Sequence, residues 1–306
     1  MTKTEWAYGS NYLVYSAMAV YTLAFIAFAV EMSLNIRTTS KMLVGSDGSE
    51  IEVAVDESKS DRTGRIAVAL TALGFGLHLL GVIARGVSAH RVPWGNMYEF
   101  SVTASMALAG AYLLLMKRLG LRWLGLFVSF VVLIVLGTAI TLLYRPSAPL
   151  VPALKSTWLA IHVSAAIISG GVFLLANLVS ALYLYLEHRE SIGARPLWAM
   201  KMPSLETLDQ LSYRLIAFVF PIWTFAVVAG AIWAESAWGR YWGWDPKETW
   251  AFITWVGYAA YLHARVTIGW RGRRAAWLCL LAGSTFLFNY IYVNVWGTGR
   301  HTYSGL

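Results

Sequence analysis

The sequence predicts an all-α, polytopic membrane protein with about eight transmembrane helices and both termini on the outer side. Three observations carry this. Hydrophobic residues make up 58% of the 306-residue chain and charged residues only 13%, about half the charged share of an average soluble domain. A soluble chain of this length cannot bury that much apolar surface, and a disordered one would not contain it. The apolar residues also gather into stretches near the ~20 residues that cross a bilayer as helix. Finally, Lys and Arg alternate in density from loop to loop, as membrane topology requires.

The stretches are, in order, residues 6–30, 66–84, 100–116, 123–144, 157–186, 215–234, 249–264 and 275–299. The first has no basic leader and no small-residue cleavage site, and Glu31 closes it, so it reads as a span. The third and seventh are short and need Met97 and Lys247–Glu248 in the helix or at its rim. Of the 24 Lys and Arg, 16 fall in the loops after spans one, three, five and seven. Those loops are therefore cytoplasmic. The same distribution explains the net charge of +8 without nucleic acid. A polar segment at about 35–64, rich in Ser, Asp and Glu, reads as a solvated cytoplasmic loop. With no internal repeat and no second soluble domain, residues 1–306 form one transmembrane domain. The single cysteine, Cys279, excludes a disulfide framework, and the lack of C-x-x-C-H excludes a c-type cytochrome.

Topology sorts the histidines. His162, at the start of span five, and His301, after span eight, share the outer side. His263 lies late in span seven, ~22 Å along the helix from Glu248 and so in the inner half of the bilayer. His78 sits near the middle of span two. The densest signal is an outer loop at about 235–250, with the run Trp238-Gly-Arg-Tyr-Trp-Gly-Trp-Asp-Pro-Lys-Glu-Thr-Trp250. Pro246 suits the first turn of helix seven with Asp245 as its N-cap. An interfacial girdle would spread aromatics over all spans, whereas this cluster is confined to one loop with Gly239 and Gly243 interleaved. That pattern fits a flat ligand lying against the backbone.

These residues carry a resemblance. W-G-x-x-W-x-W-D is similar to the tryptophan-rich signature of the heme-handling membrane proteins of cytochrome c maturation. The longer string through D-P-K-E-T-W, with Pro93-Trp94-x-Asn96-Met97-Tyr98-Glu99, resembles the CcsA/ResC branch (system II). The resemblance implies that His162, His301 and His263 are axial ligands of heme iron, and that Trp238, Trp242, Trp244 and Asp245 form a heme-binding loop. It implies heme b as cargo, delivered outward and attached to the C-x-x-C-H motif of apocytochrome c. It also implies a ResB/Ccs1-type membrane partner, a role within a holocytochrome c synthase (heme lyase) complex, and a bacterial plasma membrane or, alternatively, a thylakoid. Two neutral imidazoles suit a closed six-coordinate heme. His78, among Gly74, Gly76 and Gly81, is a further possible ligand, and Arg85 a possible propionate partner. One alternative is a b-type electron-transfer protein, which needs paired intramembrane histidines. Another is a transporter of a non-heme amphiphile.

Overall fold

The computed structural model describes residues 2–42, 57–147, 155–200 and 202–301, with backbone alone at 37–42 and 57–58. Eight long helices follow one another: α1 (Lys3–Met42), α2 (Glu57–Ala89), α3 (Met97–Leu119), α4 (Gly125–Thr141), α5 (Thr157–Ser191), α6 (Leu205–Trp238), α7 (Pro246–His263) and α8 (Arg273–Val295). Among the described residues there is no strand. A chain with no water beside its backbone must close its hydrogen bonds within each segment, and helices do so. The protein is a polytopic membrane protein: all but α7 are long and apolar enough to cross a bilayer.

Helix α7 falls short on composition because its 18 residues include Lys247 and Glu248 in the first turn. Its two ends are nevertheless tied toward opposite ends of α6. Its N-cap, Asp245, lies seven residues after the end of α6. Just past its other end, Arg265 donates to both carboxylate oxygens of Asp209 at 2.7 Å. Asp209 lies in the first turns of α6, at the opposite end of that helix from Trp238. Helix α7 thus runs back along α6. Asp209 also accepts from the backbone N–H of Gly272 at 2.9 Å, which seats the start of α8.

The helices extend beyond the apolar stretches. Helix α1 reaches Met42 and α2 begins at Glu57, so the loop expected at 35–64 narrows to 43–56, which lies outside the described residues. Consecutive helices pack together within the first four and within the last four, most extensively α1 on α2 and α5 on α6, and α3 packs on α5 to join the two sets. At this junction a Cβ on Gly171 of α5 would sit 3.2 Å from the Leu108 backbone nitrogen of α3, so the glycine lets the two helices approach. Small polar residues link the helices where apolar contact gains nothing over lipid. Ser180 and Ser212 share a hydrogen bond at 2.7 Å, and Asn177 donates to the Tyr258 hydroxyl at 2.8 Å.

Candidate functional site

The tryptophan-rich loop is a tight link between two helix caps. Helix α6 ends on Gly239, whose φ of +70° is left-handed and whose N–H bonds the Glu235 carbonyl at 2.7 Å. The turn itself therefore calls for glycine here. Pro246 opens α7, and Asp245 and Glu248 form a reciprocal capping box. Glu248 Oε2 accepts from the N–H of Asp245 at 3.1 Å and of Gly243 at 2.8 Å, drawing the loop onto the helix start.

Asp245 also ties this loop to the segment after α8. Its Oδ1 accepts from Lys247 N–H at 3.0 Å and lies 3.1 Å from His301 Nδ1, while Oδ2 accepts from Arg300 N–H at 2.7 Å. Burial pushes the Asp245 carboxyl up, but the His301 and backbone hydrogen bonds outweigh it and hold it down at about 2. On α5, His162 Nδ1 lies 2.7 Å from the Ala226 carbonyl of α6. A carbonyl only accepts, so Nδ1 carries the proton and Nε2 the lone pair. The Asp245 carboxylate 3.1 Å from His301 Nδ1 favours the same tautomer there.

Trp233 joins the two histidines. Its ring stacks parallel to His162, with centroids 6.2 Å apart and planes 7° apart, and meets His301 edge-on at 5.5 Å. Trp238 covers His301 from another side, at 4.7 Å. Both imidazoles face a cavity of about 190 Å³, walled by Trp94, Trp223, Trp233 and Trp242. The cavity floor includes Lys247, Asn289 and Asn294. A Cβ on Gly230, also on the wall, would sit 2.7 Å from His162 Cε1, so the glycine leaves the imidazole its place.

The 94–97 segment reaches the cavity through a buried ion cluster. Glu99 takes Arg85 Nε at 3.0 Å, Arg91 Nη1 at 2.6 Å and Gly95 N–H at 2.8 Å. This places Arg85 differently from the expectation of a propionate partner. Its guanidinium is directed to Glu99, the Arg145 carbonyl and the Tyr98 ring, and it does not line the cavity. Trp244 does not line it either: with φ at +56° its side chain turns outward and is 69% exposed, touching Trp242 edge-on. His78 is fully buried beside Tyr21, and neither ring nitrogen makes a hydrogen bond, although the Val102 backbone is close. His263 closes α7 at the end remote from Asp245, with an exposed side chain near Thr267. The two intramembrane histidines therefore do not form the pair that a resident b-type heme would need. Sequence reasoning passed over Lys247, Asn289 and Asn294. Two asparagines inside one apolar span were the available signal, since polar residues at that depth are usually functional.

Fold and cavity together define a class: a multi-pass membrane protein with a histidine- and tryptophan-lined site at one end of its bundle. The family model described as "Cytochrome C assembly protein" matches residues 94–301. The chain is 38% identical over 259 residues to the cytochrome c biogenesis protein CcsA of Guillardia theta, covering 76% of this chain and 86% of that one. It is 37% identical over 269 residues to CcsA of Synechococcus elongatus, covering 74% and 82% respectively. It therefore belongs to the CcsA family, and its work lies in cytochrome c maturation. The solved structure of the cytochrome c heme lyase CcmF shares the fold, with a TM-score of 0.60 at 17% identity over 95% of this chain and 47% of that one.

Proposed function

We propose that this chain takes heme b as cargo at the inner end of α7 and presents it in the outer cavity between His162 and His301. There it is attached to the C-x-x-C-H motif of apocytochrome c. The observation that carries this reading is a pair of imidazoles that both meet Trp233 and line one cavity. Each has Nδ1 beside an oxygen of the protein, which leaves Nε2 for iron. Trp238 and Trp242 supply apolar cover, and Asp245 acts through His301. The cavity is smaller than the ~300 Å³ or more of sites that enclose a whole ligand, so a porphyrin seats with an edge outside. An edge left outside suits transfer to a second protein.

In the reaction each cysteine thiol adds across a heme vinyl group. The sulfur bonds the carbon next to the ring, the thiol proton ends on the terminal carbon, and no net oxidation occurs. The chain's contribution is to hold vinyl and thiol in reacting distance. No nucleophile is needed from it. His263 forms an earlier station on the exposed face of α7, where a ResB/Ccs1-type partner supplies the second ligand. The machine is a holocytochrome c synthase in a bacterial plasma membrane or a thylakoid, with the tryptophan loop and both termini outside.

The test is the absorption spectrum of the purified protein with its partner. A six-coordinate Soret band is expected. His263→Ala should empty the outer site by starving it, whereas His162→Ala should leave heme at the inner station. Normal outer loading in His263→Ala removes the relay. No Soret band in the wild-type complex overturns the heme reading and favours a carrier of another amphiphile.

Gly230→Ala offers a separate check on His162. The added methyl meets the imidazole at 2.7 Å and displaces Nδ1 from the Ala226 carbonyl. Heme content should fall severalfold with the protein still in the membrane, in line with the ~10-fold or greater effect of losing a ligand's supporting bond. Unchanged heme content would mean that His162 does not act from this position.

A further inference from the structure

We propose that Lys247 is an anchor for a carboxylate of the ligand and so decides which edge of the macrocycle enters the cavity. The inference rests on the heme reading of the site and adds a recognition element to it. Lys247, the second residue of α7, lines the cavity with a partly buried side chain. Its ammonium donates to the Asn289 carbonyl at 3.2 Å, and Asn289 Nδ2 donates back to the Lys247 carbonyl at 3.2 Å. This clasp between α7 and α8 fixes the lysine but uses only one of three N–H donors. Among the described residues no carboxylate lies within ion-pair distance of Nζ. Its acidic neighbours are directed elsewhere: Asp245 to His301 and backbone N–H groups, and Glu248 Oε2 to the loop backbone.

An ammonium drawn out of water with one neutral partner is costly, and the cost falls when a ligand brings the counter-charge. A second observation points the same way. The indole N–H groups of Trp94 and Trp223, on other parts of the same wall, are buried without an acceptor. The cavity thus combines a cation and unused donors with unused acceptors at Glu248 Oε1 and Asn289 Oδ1. Heme carries its two propionates on one edge and its vinyls on the other half of the ring. A propionate held at the α7–α8 clasp turns the vinyls away from that wall, which is what thioether formation on a separate chain requires.

The experiment compares protoheme, protoheme dimethyl ester and mesoheme binding to the partner complex carrying wild-type chain, Lys247→Met or Lys247→Arg. The ester removes the carboxylate charges, and mesoheme removes only the vinyl unsaturation. Wild type should prefer protoheme to the ester about tenfold, the scale of one charge-assisted hydrogen bond. Lys247→Arg should keep the preference, Lys247→Met should lose it, and mesoheme should match protoheme throughout. Equal binding of acid and ester by wild type overturns the proposal without any variant, as does a preference that survives in Lys247→Met. If wild type binds no porphyrin, the heme reading falls and the anchor falls with it. A bound but undiscriminating cavity removes the anchor alone.

Discussion

His162→Ala and His301→Ala are each expected to abolish cytochrome c maturation while the protein stays in the membrane. The two residues come from α5 and from the segment after α8, yet both reach Trp233 and the same cavity. Removing either ring leaves iron with one protein ligand at the outer station. Outer-site heme should drop at least about tenfold, since even the loss of a ligand's supporting hydrogen bond costs ~10–100-fold in metal affinity. Neither change removes a large apolar surface, so accumulation in the membrane should hold. Added imidazole, which fills the vacated axial position, should restore part of the heme in both variants. Wild-type heme content and cytochrome yield in both variants would sink the assignment.

Asp245→Asn should separate two duties that Asp245→Ala removes together. Asparagine caps helices about as well as aspartate, so the start of α7 should survive in the Asn variant. What it lacks is the charge that stabilises His301 and sets its tautomer. Heme affinity should fall ~10–100-fold with protein level unchanged. Asp245→Ala should show the same loss and also lower stability by about 1 kcal/mol for the cap. The pH dependence has a definite sign. A carboxyl held at about 2, below its ordinary value of 3.8, contributes stability above that ordinary value and loses it as pH falls through about 2. Heme retention between pH 5 and 8 should therefore show no step from Asp245. A step there that disappears in Asp245→Asn would contradict this ion-pair geometry.

The helices were legible because a bilayer leaves the backbone few choices, and long apolar runs report that constraint directly. Parity of crossings then placed His162 and His301 on one side before any distance was known. Side-chain direction was not legible. Trp242 and Trp244 are two residues apart in one motif, yet only the first lines the cavity, because the left-handed backbone at Trp244 turns its ring outward. Arg85 looked available from its place after a span, but Glu99, 14 residues later in sequence, holds it. Lys247 was passed over for the opposite reason. A cation beside an N-cap reads as solvated until α8 is seen to pack over it and bring Asn289 within reach. Local patterns carried the elements and their order, whereas contacts between helices decided which of the motif's residues share the site.

The tie from Asp245 to Arg300 and His301 makes the cap of α7 depend on the segment that follows α8. A chain with seven helices in place has His162 and the tryptophan loop but lacks His301, and so lacks one wall of the cavity. The cap of α7 then has one carboxylate oxygen still waiting for the segment that follows α8. On the proposed reading, the outer heme station is complete only when the segment after α8 is in place, so completion of the membrane domain would act as a checkpoint on heme capture.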